Sequence, residues 1–361
     1  MHDWSLRSNA FVHTPICCPS RSSFVTGKYL HNSGTFQNDI EHGCSDPKWV
    51  NGPEQRSFAA HLKEAGYHTS YSGKYLNQYA MPGSSPTCKA PGDPGCGKHI
   101  PRGWDDWHGL HGNSRYYNGT VSDNGVNSFH GTDPEDYMPD VFFGHAKAFV
   151  SRHLENEAKA GTPFLCVLAT PSCHGPFTPA PKYEGHFSTQ KAPITPNYNH
   201  SNDDKQWLMR HLSPLTPNMA ISIDSQHNHR WETLLSVDDY IGEIIGMLEE
   251  ANEMNNTYFL FTSDHGFQLG QHRLPGDKRH PYEHDIRIPF IIRGPGIRAN
   301  YTETSIAMSI DVAPTFVAIA TGGSVPDDMD GVSLLPLLAG DKPANWRTDF
   351  MVDYHGQGKE P

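Results

Sequence analysis

The sequence lacks the features that mark several classes of protein. Its 361 residues contain no apolar run of the roughly eighteen residues typical of a membrane-spanning helix. The opening "MHDWSLRSNAF" has no apolar core of the kind found in signal peptides. There is no block of Lys or Arg, and the formal net charge is −12 with neutral histidines. We therefore expect neither a membrane span nor nucleic acid as a partner.

The composition indicates a globular enzyme with long loops. A chain of this length can bury one large core, and 36% of its residues are hydrophobic. It also contains 33 Gly and 29 Pro, which implies much irregular structure. We find no internal repeats, so one dominant domain is expected.

Cysteines and glycosylation sequons point to the secretory pathway. The chain has seven cysteines, so at least one is left over if the others pair. We predict disulfides Cys88–Cys96 and Cys18–Cys44. Four asparagines lie in N-x-Ser/Thr sequons and are possible glycosylation sites: Asn118, Asn199, Asn255 and Asn300.

Hydrophobic patterns alternate between helix and strand along the chain. Helical patterns cover residues 56–66, 140–160, 230–251 and 311–323, and strands are predicted near 67–73, 163–170, 257–263 and 288–293. Residues 81–136 and 171–226 show no sustained period and are predicted to be loops. The alternation predicts an α/β fold with a parallel sheet flanked by helices.

Three polar residues directly follow predicted strands. Lys74, His174 and Asp264 lie just beyond the strands that end near residues 73, 170 and 263. Ligands of open α/β sheets bind beyond the carboxyl ends of the strands. We therefore expect these three side chains to converge.

The stretch "HTPICCPSRSSFVTGKYLHN" carries the most specific signal. Pro19 suits the first turn of a helix, and a helix N-terminus with Arg21 nearby stabilises an anion, so the residues alone allow Cys17 to be a thiolate nucleophile. The segment "CCPSRSSFVTGK", however, resembles the Cys-x-Pro-Ser-Arg signature of the sulfatases. The resemblance implies that Cys17 is oxidised to formylglycine (3-oxoalanine) by the formylglycine-generating enzyme. The hydrated aldehyde then supplies one hydroxyl to attack sulfur and a second to expel sulfate.

Further segments resemble sulfatase motifs and imply a calcium site and a sulfate pocket. In "FLFTSDHGFQLGQHRLPGDKRHPYEH", the resemblance makes Asp264 and His265 ligands of one Ca²⁺, together with position 17. It also makes Lys278, Lys74 and His174 substrate-binding and catalytic residues, with His174 able to protonate the leaving alcohol. Arg21 and Lys28 match catalytic-site positions, and His31 is a peripheral candidate.

The resemblance extends over nearly the whole chain. Segments such as "RWETLLSVDD" and "YEHDIRIP" are similar to the branch with glucosamine-6-sulfatases and heparan 6-O-endosulfatases. The branch implies hydrolysis of 6-O-sulfate on glucosamine or N-acetylglucosamine units of heparan or keratan sulfate. It implies lysosomal or secreted localisation and an alkaline-phosphatase-like sandwich with a central, mostly parallel sheet.

The sequence departs from the family pattern at both ends. Family members begin with a strand ending in paired aspartates that complete the calcium site, and only sixteen residues precede Cys17 here. We expect residues 1–361 to be a single sulfatase catalytic domain that lacks this N-terminal strand and most of a C-terminal subdomain. Such a chain is expected to bind calcium poorly and to have little activity.

Two other functions are compatible with the sequence. Phosphate and sulfate esters share tetrahedral shape and need similar electrostatics, so a phosphomonoester or phosphonate hydrolase of the same superfamily is one alternative. An inactive, glycan-binding sulfatase-like protein is the other.

Overall fold

The computed structural model describes residues 5–155, 161–201 and 203–356. Its strands are β1 Ser5–Arg7, β2 Ala10–Phe11, β3 His68–Gly73, β4 Asp106–Leu110, β5 Gly119–Asp123, β6 Val126–His130, β7 Phe164–Ala169, β8 Phe259–Thr262, β9 Phe290–Arg293, β10 Tyr301–Glu303 and β11 Ala307–Met308. Its α-helices are α1 Cys17–Thr26, α2 Leu30–Ser33, α3 Pro47–Asn51, α4 Phe58–Glu64, α5 Met138–Glu155, α6 Trp207–Arg210, α7 Pro217–Glu250, α8 Glu283–Ile286, α9 Val312–Thr321 and α10 Leu335–Ala339. No helix in these described ranges is both long and apolar enough to cross a membrane.

The strands form two main sheets and a small pair. One sheet has the order β6-β5-β4-β3-β7, the second has the order β10-β1-β9-β8, and β11 pairs with β2. Strand β3 pairs in parallel with β4 and β7, whereas β5 and β6 add antiparallel strands. Strands β8 and β9 are also antiparallel. The fold is therefore α/β, with mixed sheets.

Most of the predicted alternation is present in the structure. Helix α4 leads into β3, α5 leads into β7, and α7 leads into β8. The last five residues of the predicted helix 140–160, residues 156–160, lie outside the described ranges. The loop prediction for residues 81–136 was wrong in part, because β4, β5 and β6 lie there. These strands carry Gly, Asn and Asp, and pairing with β3 overrides their weak local preference.

Two predicted disulfides are present, one from helix α1 to a loop and one within a loop. Cys18 pairs with Cys44, and Cys88 pairs with Cys96. Both pairings confirm the predictions. Among the described residues, the cysteines outside these bonds are Cys17, Cys166 and Cys173.

A long cleft separates the two main sheets. Strand β7 is the edge of one sheet and β8 is the edge of the other, and no described strand pairs with the second edge of either. A cavity of about 1440 Å³ lies along both strands and under the apolar face of α7, to which Leu234, Ile241 and Ile244 contribute. The mouth of the cavity lies at the carboxyl ends of these strands, where Lys74 and His174 line it. We refer to it as the β7–β8 cleft.

Candidate active site

Cys17 is the first residue of α1 and is almost fully buried, with 1% of its surface exposed. The first N–H groups of a helix have no partner within it, and here the Cys18 backbone N–H donates to Asn38 Oδ1 at 2.8 Å. It ends at Gly27, whose φ of 70° is a left-handed conformation that suits glycine. Position 17 lies at the N-terminus of α1, where the helix dipole is positive, and its side chain reaches His265 beyond the carboxyl end of β8.

Arg21 ties this helix to the ends of two strands. Its Nε donates to Asp264 Oδ2 at 2.8 Å, and its Nη1 donates to the Lys74 carbonyl at 2.7 Å. Ser20 Oγ donates to the Asp264 carbonyl. Ser20 and Arg21 of the "CCPSR" segment thus fix the position of α1 against β3 and β8.

Two histidines act on the Cys17 thiol. His265 Nε2 lies 3.4 Å from Sγ, and its Nδ1 donates to the Gly266 carbonyl at 2.8 Å. Because Nδ1 is held by this carbonyl, Nε2 of His265 faces position 17. His174 helps to lower the pKa of the thiol, and its Nδ1 donates to the Gly175 carbonyl at 2.6 Å.

The surrounding charges favour an anion at position 17. Burial raises the pKa of the Cys17 thiol, but the charges of Lys74 and His265 outweigh burial and hold the pKa well below its usual value. Burial likewise lowers the pKa of Lys74, which is 1% exposed. Burial would raise the pKa of Asp264, yet His265 and Arg21 hold it below its usual range. The site is thus built to hold negative charge on a reacting group.

The predicted site residues mostly come together. Lys74, His174, Asp264, His265 and Lys278 all line the mouth of the β7–β8 cleft, which also reaches Arg21. The side chain of Lys278 is only 9% exposed, and its charge acts on Lys74 and His265. The expected convergence of Lys74, His174 and Asp264 is therefore present.

Lys28 and His31 do not join this group. Lys28 Nζ pairs with Asp328 at 2.9 Å, and His31 pairs with Asp353 at 2.9 Å. Lys28 is not among the residues that line the cleft. The assignment of Lys28 to the catalytic site stays a prediction, and in the structure its ammonium group is paired away from the cleft.

Sequence reasoning missed Asn113. Lys74 Nζ donates to Asn113 Oδ1 at 2.8 Å, which orients the ammonium group at the cleft mouth. Asn113 follows β4 in a segment predicted to be loop, and no motif marks it. Its contact with Lys74 is the kind of pairing that only the folded chain creates.

Cys17, Asp264 and His265 have the position and charge for a divalent cation. One potential ligand atom from each lies within 4.8 Å of the others. Calcium prefers about six to eight oxygen ligands, and this trio includes a single carboxylate. The described residues therefore fit a cation but supply fewer oxygen donors than calcium takes.

Comparisons with known proteins agree with this geometry. The sulfatase family model matches residues 5–323. N-acetylglucosamine-6-sulfatase of Capra hircus is 40% identical over 355 residues, or 98% of this chain and 61% of the goat protein. The extracellular sulfatase SULF-1 homolog of Drosophila melanogaster is 40% identical over 97% of this chain and 30% of its own length. A solved structure described as a complex with its substrate D-glucosamine-2-N,6-O-disulfate has a TM-score of 0.72 at 24% identity, covering 99% of this chain and 78% of that one.

The fold is the α/β, alkaline-phosphatase-like fold of the solved sulfatases, as predicted. The chain belongs to the sulfatase family, because the family model covers most of its length. It spans 61% of the length of the goat N-acetylglucosamine-6-sulfatase. Sulfatases generally use a formylglycine and a divalent metal ion.

Proposed function

We propose that the protein is a sulfuric ester hydrolase that removes 6-O-sulfate from glucosamine or N-acetylglucosamine units of glycosaminoglycans. The observation that carries this proposal is the ring of Lys74, His174, Asp264 and His265 around Cys17. The 40% identity to a protein named N-acetylglucosamine-6-sulfatase supports the choice of sugar. Heparan and keratan sulfate both contain such units, and we propose no particular linkage.

Position 17 would provide the nucleophile after oxidation to formylglycine, whose hydrate supplies the attacking hydroxyl and the hydroxyl that later releases sulfate. Lys74 and Lys278 neutralise the oxygens of the sulfate ester. His174, whose Nδ1 is held by the Gly175 carbonyl, would use Nε2 to give a proton to the departing sugar hydroxyl. Arg21 holds Asp264 and the Lys74 backbone in place. Asp264 and His265 would hold calcium, which adds positive charge beside the sulfate.

The β7–β8 cleft has the position to bind a further strand between the two sheets. Strands β7 and β8 each leave one edge unpaired, and apolar residues line the space between them. We propose that an extended apolar segment ending in two carboxylates pairs with these edges and completes the calcium site. The cavity and the shortage of oxygen ligands among the described residues support this pairing.

A peptide of that kind tests the proposal. Calorimetry should show tighter calcium binding when the peptide is present, and a peptide with the two aspartates changed to asparagine should bind the cleft without this effect. Equal calcium affinity with both peptides, or strong calcium binding by the chain alone, would contradict it.

The main experiment is peptide mass spectrometry of protein secreted from a eukaryotic host, combined with sulfate release. We expect a hydrazine-reactive aldehyde at position 17 and release of sulfate from N-acetylglucosamine 6-sulfate. The variant C17A should release none. A thiol at Cys17 in the folded, secreted protein would contradict the formylglycine.

Faster turnover of an aryl phosphate than of an aryl sulfate would favour a phosphate or phosphonate hydrolase, and heparan binding without sulfate release would favour an inactive glycan-binding protein.

We also propose passage through the secretory pathway to a lysosomal or extracellular location, in line with the two disulfides and with a relative named extracellular sulfatase. Asn118, Asn255 and Asn300 are exposed and are proposed to carry glycans. Asn199 is partly buried, and its Oδ1 accepts a hydrogen bond from the Leu215 N–H at 2.8 Å. The fourth sequon is therefore the one that we expect to remain unmodified.

A further inference from the structure

A second group of metal-ligating side chains lies between the five-stranded sheet and helix α5. His108 belongs to β4, Asp123 to β5 and His145 to α5. One ligand atom from each lies within 4.8 Å of the others. None of the three belongs to the active site, and none lines the β7–β8 cleft.

We propose that His108 Nδ1, His145 Nε2 and Asp123 Oδ1 bind a zinc ion, with water in the fourth position. Two imidazoles and one carboxylate suit zinc better than calcium, which prefers oxygen ligands only. The proposal is independent of the proposed sulfatase activity.

The distances are close to those of a zinc site. Tetrahedral zinc bonds of about 2.0–2.2 Å place neighbouring ligand atoms roughly 3.4 Å apart. His145 Nε2 lies 3.4 Å from Asp123 Oδ1, whereas His108 Nδ1 lies 2.8 Å from the same oxygen. The ion would therefore replace the hydrogen bond between His108 and Asp123, and these two atoms must separate by roughly 0.6 Å.

The imidazole of His145 also has to turn. The rings of His108 and His145 are stacked, with centroids 3.6 Å apart and planes at 14°. A metal bonds in the plane of an imidazole, so one ring must tilt to share the ion. His145 is the one free to do so, because its side chain is 30% exposed on the helix surface, compared with 9% for His108.

The residues behind the group already have the arrangement that supports a metal site. Histidine ligands usually donate their second ring N–H to a carboxylate. His108 Nε2 lies 3.1 Å from Asp106 Oδ1, and Asp106 is itself held by Arg152 and by Asn124. The second oxygen of Asp123 is held by a hydrogen bond from Ser128 Oγ. The two ligands that come from strands are thus oriented before any ion binds.

Zinc binding is best measured in a variant whose active-site group has lost a potential metal ligand. The variant C17A removes one of the three potential ligands of the active-site group. In this variant, after treatment with a chelator, we expect one equivalent of zinc to bind and to raise the melting temperature, because the ion would link β4, β5 and α5. Cobalt(II) should give the visible absorption bands of a tetrahedral site.

Three further variants in the C17A background test the assignment. H145A changes a partly exposed side chain and should fold, and it should weaken zinc binding by more than about 100-fold. D106N keeps its shape but orients His108 less well, and should weaken binding about 10–100-fold. H229A, which changes an exposed histidine on α7, should bind zinc like C17A itself.

The result that would overturn the proposal is no stoichiometric zinc in C17A, or the same zinc affinity in H145A as in C17A and H229A. Neither result would bear on sulfate release, which depends on the residues around Cys17. A variant that loses sulfatase activity but still binds zinc would not contradict the zinc-site proposal.

Discussion

His174 is the residue whose position says most about the chemistry. Its side chain acts on the pKa of the Cys17 thiol, while its Nδ1 is held by the Gly175 carbonyl and its Nε2 is left for a substrate. It is therefore placed to protonate a leaving group, and a leaving group that is already acidic needs little such help.

The variant H174A tests this role. We expect kcat for N-acetylglucosamine 6-sulfate to fall by about 10²–10⁴-fold, and kcat for an aryl sulfate with an acidic phenol to fall much less. Steady-state kinetics with both substrates measures the difference. Equal losses on the two substrates would mean that His174 binds sulfate without acting as the acid.

His13 links stability to pH at the residue scale. It is fully buried, and its Nε2 accepts a hydrogen bond from the Leu30 N–H at 3.2 Å. Burial lowers its pKa from 6.5 to about 4. The unfolded chain therefore binds a proton more readily than the folded one, so the stability from neutral His13 is complete above about pH 6.5 and is lost as the pH falls toward 4.

At pH 5 this effect should remove about 2 kcal/mol of the free energy of unfolding. The variant H13Q keeps an acceptor near the Leu30 N–H and cannot become charged in this range. Urea unfolding at pH 7.5 and pH 5 should therefore show a smaller loss in H13Q than in the wild type. The exposed substitution H229Q serves as the control, and an unchanged pH dependence in H13Q would contradict the role of His13.

At the scale of elements, the start of α1 is held by covalent and polar contacts together. Cys18, next to the reactive position, is bonded to Cys44 across 26 residues, whereas Cys88 and Cys96 are only 8 residues apart. A longer closed loop removes more entropy from the unfolded chain. The Cys18–Cys44 bond should therefore stabilise the fold more than the Cys88–Cys96 bond.

Double alanine variants test this order. We expect a loss of about 3–4 kcal/mol for C18A/C44A and of about 2–3 kcal/mol for C88A/C96A, measured by denaturant unfolding. C166A, which removes a thiol outside these bonds, controls for the change in side chain. A greater loss in C88A/C96A would show that the loop-entropy argument does not govern this protein.

The elements near the site were predicted best where strong patterns end in polar residues. Strands β7 and β8 are short apolar runs bounded by breakers, and β3 directly follows a helical pattern. The carboxyl ends of the three strands bring Lys74, His174 and Asp264 together. Strands β4 to β6 were missed because their apolar residues are few. The apolar stripe of α7 is not a uniformly buried face, because Trp231 is 50% exposed and Leu234 lines the cleft. Periodicity identifies an apolar face but not the element that covers it.

The whole molecule changes its charge between neutral and acid conditions. Its formal net charge is −12 with neutral histidines, and it contains 23 histidines. The histidines outnumber the twelve negative charges, so their protonation in acid makes the net charge less negative and, if complete, would reverse its sign. Burial lowers the pKa of eight described histidines, such as His13, and these contribute least to the change.

This change should alter binding to a sulfated polymer. On a heparin column we expect the salt concentration needed for elution to rise as the pH falls from 7.5 to 5, with no retention on the unmodified matrix at either pH. Elution at the same salt concentration at both pH values would show that the histidines do not contribute to polymer binding.

The sequence by itself determined the α/β class, the family signature around Cys17, both disulfides and most of the polar residues that surround the reactive position. The class and the signature depend on local patterns and short motifs, and each polar residue was identified because it follows a predicted strand or matches a motif. The tertiary structure alone decided that Lys28 pairs with Asp328, that Asn113 orients Lys74, and that His108, Asp123 and His145 meet. Each of these contacts joins residues from separate elements, and such pairings follow from how the sheets and helices pack, which no local pattern encodes.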